Sequence, residues 1–110
     1  MSSAILVLTT FPDIGTAQRM SEDLVKAKLA GCVNIMPAGQ SIYMWEGKIC
    51  KETEHIAIIK TTDNRYSELE NFIKEQHPYE LPEIITTPIT NGSKDYLIWL
   101  TQELTENTIS

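Results

Sequence analysis

His77-Pro78-Tyr79-Glu80-Leu81-Pro82-Glu83 gathers one of the chain's two histidines, a tyrosine and two carboxylates around two of its five prolines. Imidazole and carboxylate together suit a divalent transition metal, so His77, Glu80 and Glu83 are candidate ligands. Each proline fixes its own φ and biases the residue before it towards extended backbone. His77 and Leu81 are therefore expected to be extended, in a stiff loop. A competing reading places His77 in the last turn of a helix, where a cation complements the dipole and caps carbonyls. One imidazole per chain makes a weaker metal site than several copies meeting at an oligomer axis or cleft.

The other chemistry-bearing residues are sparse. Cys50 and His55 are five apart on one strand and so face opposite sides, and Cys32 and Cys50 match no zinc spacing. Both thiols are expected to be free. Lys60 follows Ile56-Ala57-Ile58-Ile59 at a strand end. It is expected to pair with Glu52 or Glu80, to bind a small anionic ligand in a cleft shared with Tyr79, or to snorkel to water. No nucleophile elbow, P-loop or zinc-protease helix is present, so no catalytic residue is assigned and a non-enzymatic protein is expected. An acyl-phosphate hydrolase would want an arginine in a glycine-rich loop, whereas Arg19 and Arg65 read as helical.

These residues need elements to position them. Ala4 to Thr10 is a nearly continuous apolar run, read as a strand buried on both faces. Pro12-Asp13 starts a helix expected over 14–30, closed by Gly31. Residues 33–45 are extended, with a bulge or kink expected at Pro37-Ala38-Gly39. Glu46-Gly47 is a tight-turn signal, and residues 48–61 return as a strand. Thr62-Asp63-Asn64 offers caps for a helix over 65–76. Residues 84–89 form a short strand whose Pro88 argues for an edge. Asn91-Gly92-Ser93 caps a final helix through Leu104, and the tail after Glu106 reads as frayed. The order β-α-β-β-α-β plus a C-terminal helix is the α+β, ferredoxin-like pattern, in a single domain over residues 1–110.

A net charge of −6, with basic residues scattered singly, excludes a nucleic-acid footprint. No apolar run is long enough to span a bilayer. The Met-Ser-Ser start has no basic n-region, so a cytoplasmic protein is expected.

The central hairpin is long for its domain. Arms of about 13 residues reach some 40 Å, against a radius of gyration of about 13 Å for a compact chain of this size. Ile42, Tyr43, Met44 and Trp45 put bulky groups on both faces of its distal part. Such a ribbon either folds back over its own sheet or is buried against other copies, and closed symmetry is then expected.

Thr9-Thr10-Phe11-Pro12-Asp13, Cys32-Val33-Asn34-Ile35, Ser41 to Ile49, Ile59-Lys60-Thr61, His77 to Ile85 and Tyr96-Leu97-Ile98-Trp99-Leu100 together resemble the CutA family of divalent-cation-tolerance proteins. The match spans almost the whole chain in order. It implies a PII-like homotrimer with Ile42, Tyr43, Met44, Trp45 and Trp99 at the interface, and a link to Cu²⁺ or another divalent cation with no resident cofactor required. An alternative on the same architecture is a sensor holding a small anionic ligand in intersubunit clefts lined by Lys60, Tyr79, Glu80 and Glu52. In family members assigned a copper site, a cysteine ends the first strand and two adjacent histidines precede the Pro-Tyr. This chain has Thr9 and Gln76-His77 at those places.

Overall fold

The computed structural model describes residues 3–105; the expected frayed tail lies outside them. Strand β1 (Ala4–Phe11) leads to helix α1 (Ile14–Lys26), then β2 (Cys32–Ile35), β3 (Gly39–Trp45) and β4 (Lys48–Thr62). A single 3-10 turn over Asp63–Arg65 enters α2 (Tyr66–Gln76), followed by β5 (Ile84–Pro88) and α3 (Lys94–Leu104). The antiparallel sheet runs β2-β4-β1-β5, with β3 pairing further along β4. Among the described residues no helix is long and apolar enough to cross a membrane.

Side-chain alternation divides the sheet into two faces. Ile5, Val7, Phe11, Ala57 and Ile59 are buried beneath Ala17, Met20 and Leu24 of α1 and Leu69 and Ile73 of α2. Helix α1 begins where the Asp13 carboxylate accepts the Thr16 N–H at 2.7 Å, an N-cap satisfying one of the free first-turn donors. The opposite face carries Leu6, Leu8, Ile56, Ile58 and Ile85, and only part of it lies under α3. Ile56 and Ile85 remain 47% and 53% exposed. So β1 is buried on one face and half-open on the other, not sealed on both as its apolar run suggested.

Helix α1 also stops four residues earlier than expected. Lys28 takes the left-handed conformation (φ 59°), and the Leu29 and Ala30 N–H groups both turn back to the Leu24 carbonyl. Gly31 has a different reason to be glycine: a Cβ there would collide with the Leu100 side chain of α3.

The hairpin turn Glu46-Gly47 has positive φ at both residues, 50° and 78°, which matches the twist of the ribbon it closes. The bulge expected near Pro37 is present and measurable from register. Between the pairs Ile35↔Ala57 and Gly39↔Glu54, one side contributes Met36, Pro37 and Ala38 while β4 contributes only His55 and Ile56. That extra residue shifts the alternation by one. Ser41, Tyr43 and Trp45 therefore share a face with Cys50, Glu52 and Glu54, while Ile42, Met44 and Ile49 take the other. The ribbon stretches the molecule to 50 × 31 × 23 Å.

Candidate functional site

The loop between α2 and β5 passes from one side of the sheet to the other at the end of β1. Pro78 forces His77 out of helical geometry, to φ −72° and ψ 138°, as its sequence position requires. His77 then turns inwards and is only 8% exposed, with its ring stacked on Phe11 at 5.2 Å. Its Nε2–H donates to the Thr10 carbonyl at 2.7 Å, and its Nδ1 accepts the Tyr79 N–H at 3.0 Å. Those two contacts engage both ring nitrogens.

Two residues on, Tyr79 emerges on the open face. Its hydroxyl donates to Glu54 Oε2 at 2.7 Å. Together Thr10, Ser41, Tyr43, Trp45, Glu52, Glu54, Pro78, Tyr79, Glu80 and Glu83 wall a cleft of about 760 Å³, with Ile42 and Leu81 at its margin. The cleft forms because the bulged ribbon leans its aromatic and acidic face towards the stiff loop.

Glu54 is the buried element of this wall. Burial pushes its carboxyl up, but hydrogen bonds from Ser41, Tyr79 and Thr10 outweigh this and hold it below its ordinary value of 4.5. Burial and the adjacent Glu54 carboxylate push the Tyr79 phenol well above its ordinary range. The lowered Glu54 value stabilises the folded state fully above about pH 4.5, and that stabilisation is lost as pH falls through the folded value. Denaturant unfolding of Glu54→Gln is therefore expected to show a flatter pH dependence below pH 4.5 than the parent; parallel curves would contradict the assignment.

Several expected site residues stand elsewhere. His77 shares no cleft with Glu80 and Glu83, which are exposed on the other side of the loop. Among the described residues no three His, Cys, Asp or Glu side chains gather as a metal site. Within the single chain, His77, Glu80 and Glu83 do not come together as a ligand set, because the imidazole joins the loop to β1. The copper group implied by resemblance does not fit either: Thr9 is buried with its hydroxyl unpartnered, and Gln76 is exposed. Nor does His77 cap its own helix with its ring, since the ring reaches Thr10.

Lys60 also stands apart from the cleft within the single chain. Eight residues of strand separate it from Glu52, about 27 Å, so they cannot pair. Its ammonium lies instead 5.6 Å from the centroid of the Tyr96 ring, and Tyr96 in turn packs on Trp99. Trp99 therefore belongs to the α3 side of the open face, while Ile42 and Met44 face outwards from the hairpin, each 61% exposed. Cys32 and Cys50 are free thiols. Glu54, Ser41 and Thr10 escaped the sequence reading, although Glu54 is two residues beyond Glu52 and so on the same strand face.

Comparison with known proteins extends the reading to the whole chain. The family model described as CutA1 divalent ion tolerance protein matches residues 5–103. The divalent-cation tolerance protein CutA of Pectobacterium atrosepticum is 38% identical over 104 residues, covering 94% of each chain. The crystal structure of CutA1 from Oryza sativa superposes with a TM-score of 0.92 at 37% identity, covering 96% of both chains. The structure described as the periplasmic divalent cation tolerance protein CutA of Archaeoglobus fulgidus gives 0.90 at 34% identity, over 93% of this chain and 99% of that one. With a family match over nearly its full length and the same fold in both of these solved structures, the chain belongs to the CutA1 divalent ion tolerance protein family.

Proposed function

We propose that this protein is a non-enzymatic, PII-like homotrimer of ferredoxin-like subunits. Its part in divalent-cation tolerance runs through the cleft beside Tyr79 and not through a metal held by His77. The observation that carries the reading is a pair of surfaces on which the single chain leaves several large apolar side chains exposed. One is the sheet face with Ile56 and Ile85; the other is the hairpin face with Ile42, Met44 and Ile49. Surfaces of this kind on a ribbon that projects from the core call for burial against other copies. The strand order β2-β4-β1-β5 supports the ferredoxin-like assignment. Closing three copies about an axis would cover the hydrophobic faces and leave the Tyr43, Trp45 and Tyr79 side to line clefts.

Copper tolerance restored in a strain lacking its own family member tests this reading together with mass by light scattering. Wild type is expected to have three times the chain mass and to restore growth. The double variant Glu52→Gln, Glu80→Gln is expected to keep that mass and lose the growth. A monomeric wild type, or full tolerance from the double variant, would overturn the proposal.

A further inference from the structure

The Glu54 carboxylate is only 8% exposed, and among the described residues no lysine or arginine pairs with it. The Tyr79 hydroxyl donates to it at 2.7 Å, and the neutral Ser41 and Thr10 hydroxyls line the same cleft. A carboxylate withdrawn from water ordinarily requires a countercharge as well as donors. The lining of the cleft supplies none, and His77, which also helps to hold the Glu54 carboxyl low, stands behind Tyr79 and outside the lining. Glu52, Glu80 and Glu83 add three more carboxylates to its lining, and no lysine, arginine or histidine is among the lining residues.

Four classes of occupant can be compared. An anion meets only repulsion, because Lys60 stands on the Tyr96 side of the sheet. A bare metal ion needs several hard oxygens converging at roughly 2.0–2.6 Å, and no such group of side chains forms among the described residues. A segment of a second copy comes from the same acidic chain, with fifteen carboxylates against nine basic residues, and offers poor charge complementarity. An organic cation fits on each count. Its diffuse positive charge is attracted to the faces of Tyr43, Trp45 and Tyr79, and its countercharges are already in place. The volume of about 760 Å³ lies within the range of small-molecule sites.

The wall is also preformed. The chain from Phe11 through His77 to the Tyr79 N–H, and from the Tyr79 hydroxyl to Glu54, locks the tyrosine ring at both ends. Little ordering entropy remains to be lost on binding.

We propose that the cleft is a binding site for a small organic cation, an alkylated ammonium group whose apolar body rests on Tyr43, Trp45 and Tyr79 and whose charge faces Glu54 and Glu52. The proposal rests on the reading of this cleft as the functional site and names the class of ligand it takes. Binding and tolerance are separate readouts, so loss of tolerance in the cleft double variant with no cation binding would remove the ligand class alone.

The test is titration of the ¹⁵N-labelled oligomer with choline and with its uncharged isostere 3,3-dimethyl-1-butanol, followed by amide shifts and calorimetry. Choline is expected to shift Tyr43, Glu52, Glu54 and Tyr79 and to bind at least about tenfold more tightly than the isostere. Glu52→Gln and Tyr43→Leu, both on the exposed ribbon, are each expected to weaken choline about tenfold and leave the isostere nearly unchanged or, for Tyr43→Leu, weakened less. Equal binding of the two probes, shifts outside the cleft, or no shift with choline in excess would overturn it. So would a cleft filled by a neighbouring copy, which would appear as absent choline shifts in an intact oligomer.

Discussion

Replacing His77 by alanine is expected to lower the free energy of unfolding by about 3–5 kcal/mol and to leave the Cu²⁺ titration isotherm unchanged. The magnitude follows from what the ring does. It fills space against Phe11, donates to the Thr10 carbonyl and accepts the Tyr79 N–H. Removing it leaves a cavity and two backbone groups without partners, and each unmade bond costs about 1–3 kcal/mol. His77→Phe keeps the stacked ring and loses only the polar pairs, so its cost is expected to be the smaller of the two. Urea denaturation at matched protein concentration measures both, because association contributes to apparent stability. Equal stability of His77→Ala and the parent, or a clear loss of copper binding in the variant while folded, would return His77 to the role of ligand.

The second large effect is expected at the hairpin. Ile42→Glu combined with Met44→Glu places two carboxylates per chain on the apolar side of the ribbon, away from the cleft aromatics. Position 42 faces Lys51 across the ribbon, but position 44 faces Ile49, so at least one of the two charges would be buried without a partner, which costs several kcal/mol. The expected outcome is a chain of monomeric mass in light scattering, with a thermal midpoint lower by roughly 20 °C. Glu52→Gln, on the opposite face of the same ribbon, should retain the parent mass. A double variant that still assembles would show that copies meet through another surface.

The order of elements was legible because its signals are local. Glu46-Gly47 demands positive φ, Pro88 cannot sit in a central strand, and Pro78 ends its helix whatever surrounds it. The end of α1 was misread for the same reason. Gly31 looked like the closing residue, yet Lys28 turned the chain and Gly31 answered to Leu100, sixty-nine positions away in sequence. The site was legible in its loop and not in its direction. Nothing near His77 states that its ring points to Thr10, or that Tyr79 meets Glu54 across the sheet. Both follow from how the α2–β5 loop docks on the end of β1. The distance from Lys60 to Glu52 could have been counted from strand geometry, and the parity of Glu52 and Glu54 read from their spacing. The resemblance to known relatives identified the family but carried a metal set that these residues do not supply.

The surplus residue between β2 and β3 makes chain length itself informative here. Excising Ala38 would leave two residues on each side between Ile35↔Ala57 and Gly39↔Glu54 and make the ladder continuous. Because β4 carries no bulge, Tyr43 would still stand opposite Cys50 and Met44 opposite Ile49, so each side chain would keep its face. The loss would be the local bend and extra twist with which the ribbon leaves the sheet. Among related chains, the number of residues between Ile35 and Gly39 therefore bears on the angle at which the hairpin meets the loop, while the residues on the hairpin decide what each face offers.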